Sequence, residues 1–97
     1  MKNKVYYTYI LSNKRRTVYY VGFTDGIDRR WRQHEIKYFK NAFTSRYNVD
    51  ELLYFEEYNT IKEALAREKQ LKGWARERKI ELIKTVNPNL DNIFNQF

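Results

Sequence analysis

Alternating apolar and polar positions near the N-terminus predict two β-strands. Residues 5–11 (VYYTYIL) and 18–23 (VYYVGF) are rich in β-branched and aromatic side chains, and the polar turn SNKRRT separates them. This pattern predicts a β-hairpin. Alternation places every second side chain of the first strand on one face, namely Val5, Tyr7, Tyr9 and Leu11. In one register of the hairpin, the same face of the second strand carries Val18, Tyr20, Gly22 and Thr24.

The hydrophobic period changes after Asp25-Gly26. Apolar and aromatic residues then recur at intervals of four, three and four residues, which indicates one face of a helix over residues 27–38. Arg30 and His34 are four residues apart and would be neighbours on that helix. The polar segment 41–50 is interpreted as a loop, and residues 51–58 (ELLYFEEY) as a third strand.

A second helix is predicted to begin after Thr60, because Thr60 and Glu63 form a capping-box pattern. It would run to about Trp74, near which Gly73 indicates a break. Its apolar positions are Ile61, Ala64, Leu65, Leu71 and Trp74. Glu68 follows Ile61 by seven residues, which is two helical turns. An acid therefore occupies the middle of the helix face that should meet the core.

The remainder of the chain predicts a shorter amphipathic helix and a tail. Residues 75–86 (ARERKIELIKTV) place Ile80, Leu82 and Ile83 inward. The segment from Asn87 contains the only proline and many amide side chains, so we expect it to be extended or loosely docked.

Composition fits one small folded domain with a polyanionic partner. The 97 residues suffice for a single α+β core. The net charge of +7 favours nucleic acid, although a basic protein with no such partner has the same composition. The absence of cysteine excludes disulfides and thiolate chemistry. Neither a cleavable leader nor a membrane span is expected, which predicts a soluble cytoplasmic protein.

Glu68 has two interpretations. A carboxylate removed from water is costly unless it gains a cationic partner, and that partner could be a divalent metal ion at the floor of a cleft. Alternatively, Glu68 lies at the helix edge and reaches water or pairs with Arg30, Arg67 or a neighbouring lysine. Periodicity alone favours the second interpretation.

Other side chains could act on a phosphate. Arg30 offers planar donors and His34 a group that titrates near neutrality, although both could equally be structural or solvated. The phenols of Tyr9 and Tyr20 could serve as a general base or simply pack. The basic run after residue 68, which includes Lys69 and Lys72, is either a solvated face or a track for a phosphate backbone. With no glycine-rich phosphate loop in the sequence, ATP use is not expected.

These residues together resemble the GIY-YIG nuclease superfamily, in particular its small single-domain bacterial members. The first family motif corresponds to Tyr7-Thr8-Tyr9 and the second to Tyr20-Val21-Gly22. Arg30 follows eight residues after Gly22, His34 follows four later, and Glu68 lies within AREKQLKGW. Two positions depart from the family pattern, since Tyr7 replaces a glycine and Phe23 stands where some relatives carry lysine. The late family asparagine corresponds to Asn87, with Asn89 as the alternative.

The resemblance implies a three-stranded antiparallel β-sheet flanked by about three helices, over residues 1–88, with residues 89–97 as a C-terminal tail. It also implies an endonuclease that hydrolyses phosphodiester bonds with one Mg²⁺ or Mn²⁺, serving DNA repair or recombination. DNA is the expected substrate, and RNA is not excluded. Glu68 would hold the metal, Arg30 would stabilise transition-state charge, and Tyr9 or Tyr20, aided by His34, would deprotonate water. Substrate binding or structural support is expected from Gly22, Thr24, Asn87, Lys69 and Lys72.

The main alternative is a nucleic-acid-binding module without catalysis. Its positive face would contact phosphates, and Tyr6, Tyr19 or Tyr20 would offer stacking surfaces. In either case a monomer is expected, with no membrane partner, and a protein partner could supply specificity.

Overall fold

The computed structural model describes residues 4–25 and 48–96. The helix predicted over residues 27–38, which carries Arg30 and His34, and most of the predicted loop 41–50 lie outside the described residues. The elements below are numbered within the described part of the chain.

Three antiparallel strands form the described sheet, in the order β2-β1-β3. They are β1 (Tyr6–Ser12), β2 (Tyr19–Thr24) and β3 (Glu51–Tyr58). In the hairpin Tyr9 pairs with Gly22 and Leu11 pairs with Tyr20. Residues directly opposite each other point to the same face, so the predicted alignment of the hairpin is confirmed.

The turn between β1 and β2 is held by Asn13 and Arg16. The Asn13 Oδ1 accepts hydrogen bonds from the backbone amides of Thr17 (2.9 Å) and Val18 (3.0 Å). Arg16 adopts a left-handed φ of 59°, and its guanidinium turns inward to form an ion pair of 2.7 Å with Glu51. The turn is therefore fixed from both sides by side-chain contacts.

Helix α1 (Ile61–Lys72) begins as the capping box predicts. The Thr60 Oγ1 accepts from the Glu63 amide at 3.2 Å and donates to the Glu63 carboxylate at 2.8 Å. The predicted apolar face is wrong in part, because Ile61 and Leu65 are 49% and 41% exposed. Ala64 and Leu71, which the sequence places on the same face, are fully buried as predicted, and the Thr8 hydroxyl donates to the Ala64 carbonyl at 2.7 Å.

Helix α2 (Arg76–Lys84) follows the break at Gly73. Ile83 is fully buried, and Ile80 and Leu82 are half-buried, as the sequence predicts. The cluster that α1 and α2 cover contains Ile10, Val21, Leu53, Tyr54, Leu71 and Ile83. No helix in the described ranges is long and apolar enough to span a bilayer.

The prediction of a loosely docked tail is wrong. Phe94, in a short 3₁₀ helix (Ile93–Gln96), is 2% exposed and belongs to a second cluster on the opposite side of the sheet. That cluster also contains Tyr9, Leu11, Val49 and Leu52. Amide side chains attach the tail to β3, since Asn92 accepts from the Leu52 amide and Asn87 donates to the Leu53 carbonyl. The amide side chains from which the sequence predicted a loose tail are the ones that bind it to β3.

Candidate active site

Tyr9 and Gly22 form the closest contact on the tyrosine-bearing face of the sheet. Tyr9 is 8% exposed, and its ring lies across the backbone of Gly22. A Cβ atom at position 22 would lie 2.4 Å from both Cζ and Oη of Tyr9. No van der Waals contact is that short, so a glycine is needed here for the phenol to lie where it does.

Tyr20 and Thr24 lie on the same face as Tyr9. Tyr20 is half-buried and packs against the cluster that contains Tyr9, while Thr24 is buried opposite Tyr7. The structure thus brings together four of the residues that the sequence singled out, Tyr9, Tyr20, Gly22 and Thr24.

Glu68 lies on the side of α1 that faces the sheet. It falls between the buried residues Ala64 and Leu71, and its side chain is 19% exposed. Its carboxylate contacts the Nζ of Lys72 at 3.2 Å, and the Lys72 side chain is 53% exposed. The acid is therefore shielded but not enclosed, and the lysine that pairs with it is a solvent-exposed cation that another ligand could displace.

Glu68 and the two tyrosines approach the sheet from opposite sides. Helix α1 covers the face of Thr8 and Ile10, as the Thr8 to Ala64 hydrogen bond and the Leu71 packing demonstrate. Tyr9 and Tyr20 point to the other face. A site that uses both sets would have to form around an edge of the described sheet, whose outer strands are β2 and β3.

The donor set around Glu68 fits a magnesium-type ion. No group of three or more metal-ligating side chains occurs in the described ranges. Mg²⁺ keeps several water ligands and is commonly held by one or two carboxylates together with substrate phosphate. A single partly shielded carboxylate such as Glu68 is compatible with that chemistry.

Asn87 and Lys69 differ in burial and in their hydrogen bonds. Asn87 is 6% exposed and its amide is fully used, because it donates to the carbonyls of Leu53 and Asp91 and accepts from the Asp91 amide. Its contacts are those of a structural support. Lys69 is exposed on α1, one residue after Glu68.

A partly buried polar cluster, which includes the residue before Glu68, is not among the predictions from the sequence. Arg67 donates two hydrogen bonds to Glu56, from Nε at 2.9 Å and Nη2 at 3.1 Å. Glu56 also accepts from the hydroxyls of Tyr54 and Tyr58, each at 2.5 Å. The signal was present, since Tyr54, Glu56 and Tyr58 alternate along β3 and share one face.

Ionisation of this cluster follows from its contacts. Burial opposes the charge on Glu56, but the hydrogen bonds from Arg67, Tyr54 and Tyr58 outweigh it and lower the Glu56 pKa. Burial, followed by the hydrogen bond to Glu56, raises the pKa of Tyr58 to about 12 and raises the Tyr54 pKa further. Both phenols are therefore neutral hydrogen-bond donors at neutral pH.

Comparison with known proteins places this geometry in a family. The sequence model of the GIY-YIG catalytic domain matches residues 5–81. A UPF0213 protein of Haloquadratum walsbyi is 32% identical over 80 residues, covering 82% of this chain and 88% of the relative. A UPF0213 protein of Syntrophus aciditrophicus is 31% identical over 78 residues, covering 80% and 88%.

A solved structure agrees with the fold. The solution NMR structure of a UPF0213 protein from Bacillus halodurans has a TM-score of 0.55 and 25% sequence identity, with 91% of this chain and 92% of that chain covered. The matched segment contains both tyrosine motifs and Glu68. The chain therefore belongs to the GIY-YIG family, whose catalytic domain has a nuclease-type function.

Proposed function

We propose that this protein is a metal-dependent endonuclease that hydrolyses phosphodiester bonds in DNA. The observation that carries the proposal is the Glu68 carboxylate, shielded on the sheet-facing side of α1 in a GIY-YIG domain with a net charge of +7. A bound Mg²⁺ or Mn²⁺ supplies Lewis-acid stabilisation of charge on the phosphate. Glu68 holds that ion.

Lys72 has a defined part in this proposal. In the structure the Lys72 Nζ lies 3.2 Å from a carboxylate oxygen of Glu68 and offsets its negative charge. If Glu68 held a cation, the exposed Lys72 side chain would be available to contact a phosphate oxygen of the substrate. Arg30 stabilises charge that develops on the phosphate, and His34 assists proton transfer; both roles rest on the sequence resemblance, since these residues lie outside the described ranges.

The two tyrosines are unequal candidates for the general base. Tyr9 is 8% exposed and wedged over Gly22, whereas Tyr20 is only half-buried. A base has to come within hydrogen-bond distance of the attacking water, so exposure favours Tyr20. Tyr9 then serves to shape the surface next to it.

The test compares wild type with Glu68→Gln on labelled branched, flapped, single-stranded and duplex DNA, with Mg²⁺, with Mn²⁺ and with chelator. We expect metal-dependent cleavage by the wild type and at least about a hundredfold loss in the variant, because an ion of this kind is worth several kcal/mol to the transition state. Circular dichroism should show that the variant is folded. Glu81→Gln, which removes an exposed carboxylate of α2, is the matched control and should cleave like wild type.

Undiminished cleavage by Glu68→Gln would remove Glu68 from the metal site. If the wild type binds DNA in chelator but cleaves no substrate with either metal, the protein is instead a binding module without catalysis.

A further inference from the structure

We propose that the tip of the β1-β2 turn and the first turns of α2 form a second phosphate-binding surface, which holds the nucleic-acid backbone away from the residues assigned to chemistry. This surface, called the hairpin surface below, consists of Lys14, Arg15, Arg76 and Lys79. The inference rests on the proposed function in taking nucleic acid as the substrate.

A long-range contact joins the two parts of the hairpin surface. The Nη2 of Arg76 donates to the Thr17 carbonyl at 2.8 Å, which fixes the start of α2 against the turn. Lys79 lies one helical turn after Arg76, on the same side of α2. It is half-buried, and burial followed by the nearby charge of Arg76 lowers its pKa. The positive groups at the start of α2 are therefore held against the turn whose tip carries Lys14 and Arg15.

The turn presents its other cations to solvent. Arg16 is directed inward, where it pairs with Glu51 and donates to the Leu90 carbonyl at 3.0 Å. Lys14 and Arg15, the two residues before it, are exposed. Arg16, with its left-handed φ, is therefore the structural arginine of the turn, whereas Lys14 and Arg15 face solvent.

The hairpin surface has an excess of positive charge. The ion pairs recorded for residues 4–25 and 48–96 are Lys4–Asp25, Arg16–Glu51, Arg67–Glu56 and Lys72–Glu68. None of them includes a residue of the hairpin surface. Glu77 is the adjacent acid along α2, and it forms no ion pair there. Like charges gathered without counter-charges repel one another, and a polyanion relieves that repulsion.

The position of the surface suits a backbone contact remote from the chemistry. Thr17, whose carbonyl accepts from Arg76, precedes Tyr20 by three residues, which is roughly 10 Å of extended chain. Phosphates of one duplex strand are spaced about 3.4 Å along the axis. The part of the surface at Thr17 and Arg76 would therefore contact a strand roughly three nucleotides from Tyr20. The exposed large hydrophobic residues of the described ranges, Ile61, Leu65 and Val86, lie elsewhere, so an apolar membrane contact is not provided.

The experiment compares Arg15→Gln/Lys79→Gln with the matched control Lys62→Gln/Lys84→Gln. Each variant removes two positive charges, and the control residues are exposed on α1 and α2 outside the hairpin surface. Binding of a labelled DNA duplex is measured by fluorescence polarisation in chelator over a range of salt concentrations, so that cleavage plays no part. We expect the hairpin variant to lose at least about tenfold in affinity near 0.1 M salt and to lower the salt slope by about two. The control should lose much less.

Equal losses in the two variants would overturn the inference, because net charge alone would then explain binding. Binding of the same proteins to vesicles of anionic phospholipid is measured as well. If Arg15→Gln/Lys79→Gln lost vesicle binding but kept DNA binding, the inference would also be overturned, and the surface would be assigned to lipid headgroups. Failure of the wild type to bind DNA would contradict both the inference and the proposed function. If Glu68→Gln abolishes cleavage while the two double variants bind equally, only the inference fails.

Discussion

At the scale of single residues, Gly22 controls the position of Tyr9. The phenol occupies the space that any side chain at position 22 would need, with the Cβ position only 2.4 Å from Cζ and Oη. Because Tyr9 is 8% exposed and packed in a core cluster, its ring has little room to move.

Gly22→Ala is therefore expected to destabilise the fold by about 1–3 kcal/mol, the usual cost of overpacking, and to reduce cleavage by displacing the tyrosines. The free energy of unfolding from urea titration measures the first effect. Gly73→Ala is the control, since residue 73 has φ −81° and a Cβ atom there would lie 3.5 Å from its nearest neighbour, the Gln70 carbonyl oxygen. That change should be neutral or stabilise by up to about 1 kcal/mol. An equal effect at both glycines would show that the Tyr9 contact is unimportant.

At the scale of elements, Arg67 anchors α1 to β3 beside Glu68. Its guanidinium makes a two-pronged contact with Glu56, and it lies 5.2 Å from the Trp74 ring centroid. Arg78 approaches the same ring at 4.0 Å, so Trp74 connects α1 to α2. The helix that carries the candidate metal ligand is thus fixed by a partly buried polar network.

Arg67→Gln is expected to cost about 2 kcal/mol, because the charged acceptor Glu56 loses its main donors. The control is Lys4→Gln, which breaks the exposed Lys4–Asp25 pair and should cost clearly less, because solvent screens that pair. Thermal or urea unfolding of both variants would measure the difference, and equal costs would mean that the Arg67 contact is no stronger than a surface ion pair.

The same network predicts a pH dependence. The folded-state pKa of Glu56 is lowered from its ordinary value of 4.5, so its stabilising effect is complete above that pH and is lost as the pH falls below it. The free energy of unfolding of wild type should therefore decrease more steeply below about pH 4.5 than that of Glu56→Gln. Parallel curves for the two proteins would contradict this assignment.

At the scale of the whole molecule, the tail completes the core on the tyrosine-bearing face. Phe94 is 2% exposed and shares a cluster with Tyr9. Phe94→Ala should cost about 3–5 kcal/mol, as for other buried phenylalanines, and a chain ending at residue 88 should be at least as unstable. Val86→Ala, at a position 69% exposed, is the control and should change stability by less than about 0.5 kcal/mol. A stable chain of residues 1–88 would instead support the domain boundary predicted from sequence.

The sequence by itself determined the features that depend on neighbours along the chain. Alternation in two short segments and the turn between them fixed which face carries Tyr9, Tyr20 and Gly22. The Thr60 and Glu63 pair fixed where α1 begins, and helical period placed Glu68 towards the sheet. These outcomes follow from backbone geometry with periods of two and 3.6 residues, which is local information.

Only the tertiary structure decided how these elements are turned and covered. The exposure of Leu65 depends on the Thr8 contact with Ala64, 56 residues away, and the docking of Phe94 depends on amide side chains that bind the edge of β3. The pairing of Glu68 with Lys72 rather than Arg67 likewise depends on Glu56 in another element. Periodicity states which residues share a face, but the partner that the face meets is set by contacts between segments distant in sequence.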